Sequence, residues 1–91
     1  MIVRVATEGQ YRLDDDQAAK LNELDNEAVA VVEAGDAEAF RALFDQMLAL
    51  ARSGTELGDD ELEESDVILP PPDLSLEEAK EEFTGEGLIP G

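Results

Sequence analysis

The 91-residue sequence predicts an α+β fold: an N-terminal β-hairpin, a long antiparallel helical hairpin, an extended segment and a short C-terminal helix. Three features carry that reading. Two short β-prone runs open the chain, apolar residues at 3-4 spacing follow with one break at Gly35-Asp36, and a proline triplet separates a last extended run from a helix-capping sequence. A chain this short has room for one domain and buries only roughly 60–65% of the surface its unfolded form exposes, so its stability is expected to be modest.

Ile2-Val3-Arg4-Val5-Ala6 and Gln10-Tyr11-Arg12-Leu13 are the β-prone runs. Thr7-Glu8-Gly9 joins them, with a glycine that accepts the positive φ of a tight reversal. The predicted hairpin pairs residues 2–6 with 10–13. Two strands alone are marginal in water, so one face must cover something, with Val3, Val5 and Tyr11 or Leu13 pointing inward. Arg4 and Arg12 then share the outer face, available to the acidic tail or to a partner's acid. Surface pairs of that kind contribute only ~0–1 kcal/mol.

Asp14-Asp15-Asp16 supplies a cap and first-turn negative charge for a helix running to about Ala34. Leu21, Leu24, Ala28, Val31 and Val32 fall on one side of it. Gly35-Asp36 reads as a C-cap followed at once by an N-cap, the mark of two helices joined by a very short turn. The second helix, about Ala37 to Arg52, carries Phe40, Leu43, Phe44, Met47, Leu48, Leu50 and Ala51 over an arc of roughly 160°, wider than the ~100° stripe one neighbour requires. It should touch two things: the first helix, and either the hairpin, the tail or a second chain.

Residues 1–53 therefore read as a body of hairpin plus helical hairpin. Residues 54–66, "GTELGDDELEESD", lack apolar periodicity and read as a solvated acidic linker. Residues 67–91 form a C-terminal arm. Val67-Ile68-Leu69 is extended, and Pro70-Pro71-Pro72 turns the chain, because each ring fixes φ and removes a donor. Ser75-Leu76-Glu77-Glu78 fits a capping box for a short helix over about 76–83, with Leu76, Ala79 and Phe83 along one side. Val67, Ile68 and Leu69 are too apolar to stay in water beside a small core, since burying one such side chain is worth ~1.5–3 kcal/mol. The arm is thus expected to fold back on the body, with its helix closing over the second helix or meeting a partner.

Charge limits the function. The chain holds 24 acidic and 6 basic side chains, for a net charge of -18. The excess is uneven: residues 1–53 hold 11 acids and 5 bases, and residues 54–91 hold 13 acids and only Lys80. Direct binding to nucleic acid phosphates or insertion into an anionic membrane is electrostatically opposed, and a partner should be basic. No run approaches the ~20 apolar residues of a membrane span, and no basic segment leads into an apolar one at the start. The reading is a soluble cytoplasmic protein.

Neither cysteine nor histidine occurs, which removes thiolate and imidazole chemistry and the usual zinc sites. Nothing in the spacing pairs a nucleophile with a base, so no enzyme is expected, and no cofactor or metal. Asp14-Asp15-Asp16 and Asp59-Asp60-Glu61 do not fit the calcium-loop pattern. Asp73-Leu74-Ser75-Leu76 invites comparison with an acyl carrier protein, but the carrier motif has Asp directly before Ser, where Leu74 stands here. Ser75 as a helix cap accounts for the spacing.

Taken together, "MIVRV" with "EGQYRL", the turn in "EAGDAEAFRAL" and the ending "SDVILPPPDLSLEEAKEEFTGEGLIPG" resemble the PspA-associated protein family, PspAA, over essentially the whole chain. The last segment, Ser65 to Gly91, is its most specific part. The resemblance implies a small non-enzymatic adaptor or regulator of PspA, the membrane-stress effector of the phage-shock response, whose coiled-coil helices assemble on strained membranes. Contact with such a partner would fall on Phe40, Phe44 and Met47 of the second helix and on Leu74, Leu76, Ala79, Phe83, Leu88 and Ile89 of the arm. Recruitment to the inner face of the membrane would then come through PspA. Surplus apolar surface on the second helix also leaves a homodimer open. The reading from another class is an acidic mimic that inhibits a nucleic-acid-binding or transcription protein. Mimicry should weaken steeply with salt, and apolar groove binding should survive moderate salt.

Overall fold

The computed structural model describes residues 1–58, 60 and 63–83 and is α+β, with a four-stranded sheet on one side and a helical layer on the other. β1 (Ile2–Val5) and β2 (Gly9–Arg12) form the N-terminal hairpin. Ile2 pairs with Arg12, Val3 with Tyr11, Arg4 with Gln10 and Val5 with Gly9. This register places Arg4 and Arg12 diagonally on the outer face rather than side by side. The connecting turn puts two residues at positive φ, Gly9 at 156° and the β-branched Thr7 at 73°.

α1 (Asp15–Ala34) starts where the three aspartates predict. The Asp14 side chain accepts from the Gln17 amide, and the Gln17 side chain accepts in return from the Asp14 amide, so two of the orphan donors of the first turn are satisfied. Gly35 closes the helix in the left-handed conformation, and Asp36 then caps α2 (Ala37–Arg52) through the Ala39 amide. The predicted helical hairpin is therefore present with its one-residue punctuation on each side.

The structure adds two sheet members that the local pattern did not announce. β3 (Thr55–Glu56) lies within the stretch expected to be a solvated linker, yet it pairs antiparallel with β2, and the next residue, Leu57, is buried. β4 (Val67–Leu69) is more than an extended run packed on the body, because it joins the sheet parallel to β1, with Val3, Arg4 and Val5 opposite Val67, Ile68 and Leu69. The strand order is β3-β2-β1-β4. Both pairings are non-local, so neither turn chemistry nor apolar periodicity within a short window encodes them.

The inner face of the sheet presents Val3, Val5, Val67 and Leu69, all buried, to Leu21, Leu24, Ala28 and Val32 of α1 and to Phe40, Phe44, Met47, Leu48 and Ala51 of α2. α3 (Leu76–Glu82) rests against α1 and buries Ala79, while Phe83, its C-cap, reaches α2. The wide apolar arc of α2 is accounted for within the chain: it meets α1, the sheet and the end of the arm.

Candidate interaction surface

Three phenylalanines close the core. Phe40 and Phe44 stack with centroids 5.5 Å apart, and the Phe83 ring stands edge-on to both, at 5.5 Å and 6.4 Å. Offset and edge-to-face contacts of this kind add ~0.5–1.5 kcal/mol beyond the area they bury. The Arg41 guanidinium lies 5.1 Å from the Phe44 centroid and donates to Asp45 and to the Leu74 carbonyl, so it ties α2 to the loop that leads into α3.

This arrangement relocates most of the residues expected to meet a partner. Phe40, Phe44, Met47, Leu74, Ala79 and Phe83 are buried in the chain's own core, and Leu76 is partly buried against it. They face one another because the arm returns to the body, and a partner could reach them only after the arm had left. Leu88 and Ile89 lie outside the described residues. Ser75 acts as the helix cap its spacing predicts: its hydroxyl oxygen accepts from the Glu78 amide, and the Glu78 carboxylate accepts from the Ser75 amide.

A polar clasp holds the returning segment across the outer face of the hairpin. Gln10 is only 3% exposed. Its Nε2 donates to the Ser65 hydroxyl at 2.7 Å and to the Glu63 carbonyl at 2.5 Å, and its Oε1 accepts from the Glu63 amide at 3.2 Å. Arg12 pairs with the Glu63 carboxylate, and Asp66 accepts from the Ile2 amide while its own amide donates to the Ile2 carbonyl. Gln10 is missing from the sequence expectations, since a lone glutamine in a short strand carries no signal until its partners are known.

Among the described residues, four bases are engaged in ion pairs, Arg12 with Glu63, Lys20 with Glu23, Arg41 with Asp45 and Arg52 with Glu8. The hydrogen bond from Arg52 holds the Glu8 carboxyl below its ordinary value, and Glu8 in turn raises Arg52. Burial, then the Glu8 charge, raises the Tyr11 phenol.

What remains outward is a different surface. Ile68 is 60% exposed, the large apolar side chain left to solvent among the described residues. It stands between two shallow hollows. One, of about 420 Å³, runs along Arg4 to Gly9 at the β1–β2 turn. The other, of about 440 Å³, has Leu69, Pro70, Pro71 and Leu74 as its floor and Glu78, Glu81 and Glu82 of α3 as its wall. Strict alternation explains the exposure. Val67 and Leu69 point into the core, so the residue between them must point out.

Fold and surface together define a small, strongly acidic α+β domain closed by its own C-terminal segment. The chain belongs to the PspA-associated protein family, PspAA, whose model matches residues 1–91. No curated protein and no solved structure matches it significantly. Among the described residues, no helix is long and apolar enough to cross a membrane.

Proposed function

We propose that the chain is a non-enzymatic adaptor that binds a PspA-type coiled-coil protein in the envelope stress response, acting in the cytoplasm and reaching the inner face of the membrane through that partner. The observation that carries this reading is the whole-chain match to a family named for association with PspA. The physical chemistry agrees with it. A net charge of -18 disfavours direct contact with anionic lipid and favours basic patches on a protein partner.

Calorimetric titration of purified PspA from the same organism with the full chain, at low and at moderate salt, tests the proposal. Saturable binding that weakens only partly as salt rises is the expected result, from apolar contact assisted by charge. No heat of binding at either salt would overturn the reading. Loss of all binding at moderate salt would turn it toward a purely electrostatic, mimic-like association. The full chain is required, because removing residues after 65 would delete an edge strand of the sheet and the Phe83 ring.

A further inference from the structure

We infer that the surface centred on Ile68, between the β1–β2 turn and α3, is the docking site for a basic amphipathic helix of the partner. The inference rests on the adaptor reading and adds the place and chemistry of the contact. Most apolar residues of the arm are spent on the core, whereas Ile68 is 60% exposed with a hollow on either side. On one side the walls are acidic. Glu78, Glu81 and Glu82 stand at i, i+3 and i+4 on one face of α3, the spacing at which lysines or arginines on a facing helix could meet them. Glu81 and Glu82 have no ion pair among the described residues, and the one base lining either hollow is Arg4.

Charge and geometry select the occupant. A second copy of this chain would set its own carboxylates against these, so it fits poorly. Strand addition at β4 has only three residues to work with, and Pro70 and Pro71, next in sequence, offer no amide donors. A helix with apolar side chains for the hollows beside Ile68 and a basic row for α3 satisfies both the floor and the wall.

The test compares three variants of the full chain in titration against purified PspA, each first shown by circular dichroism to keep the parent's helix content and a cooperative melt. Ile68→Thr keeps the β-branched shape and should weaken binding about tenfold at low and moderate salt alike. The pair Glu81→Lys with Glu82→Lys should weaken it by a similar factor at low salt and flatten its salt dependence. The charge-matched pair Glu27→Lys with Glu33→Lys, on exposed positions of α1, should bind nearly as the parent does. Parent-like affinity in both surface variants would overturn this site and leave the adaptor reading standing. Equal loss in the α1 control would replace the site with diffuse charge attraction. Absence of binding by the parent chain would overturn the adaptor reading and this site with it.

Discussion

Phe83 shows what a single side chain contributes in a small domain. It is 1% exposed, and its ring stands edge-on to both Phe40 and Phe44. Truncation removes the transfer free energy of the ring and leaves a cavity between α2 and α3, so Phe83→Ala should cost about 3–5 kcal/mol, read from urea unfolding of the full chain. A domain of this size holds on the order of 5–15 kcal/mol in total, and the variant would stand close to its unfolding threshold. A loss below ~1 kcal/mol would mean that the arm does not close the core in solution. The same reasoning separates Phe83 from Ile68. Both were apolar residues of one acidic segment, yet one is structural and the other faces outward, and only its position in a strand paired to β1 distinguishes Ile68.

At the scale of elements, the helices and the N-terminal hairpin were the legible part, and the two outer strands of the sheet were not. Caps and 3-4 spacing are local, so Asp14, Gly35-Asp36 and Ser75-Glu78 each mark a helix end that the structure reproduces within a residue or two. β3 and the parallel pairing of β4 depend on contacts across dozens of residues, and "TEL" inside an acidic run carries no strand signal of its own. The candidate surface was hidden for the same reason: without the register, the interior and exterior residues of "VIL" are interchangeable. The Ser75 cap offers a local test. α3 has seven residues, too few to persist without capping and tertiary support. Ser75→Ala leaves the Glu78 amide without its side-chain acceptor, and stability should fall by about 1 kcal/mol in thermal or urea melts. An unchanged melt would show that packing of Ala79 and Phe83 alone sets the helix.

For the molecule as a whole, the balance of charge predicts an unusual response to salt. The chain extends 40 × 24 × 19 Å and carries a net charge of -18. At ~0.01 M ionic strength the screening length is about 30 Å, so nearly every carboxylate feels most of the others, whereas at 0.15 M it is about 8 Å. Two opposing effects follow when sodium chloride is added. The four ion pairs weaken, but they are largely exposed and contribute ~0–1 kcal/mol each. Repulsion among the large excess of acids is relieved at the same time, and it is stronger in the compact state than in the expanded one. The second effect should win, raising the melting midpoint by about 4–8 °C for each kcal/mol gained. A midpoint that falls with salt would show that the ion pairs outweigh the repulsion. Glu81→Lys with Glu82→Lys should flatten the rise, since it removes two acids and adds two bases on α3. A basic helix seated against that wall would relieve the same repulsion by neutralisation, so partner binding and added salt should stabilise the domain less than additively.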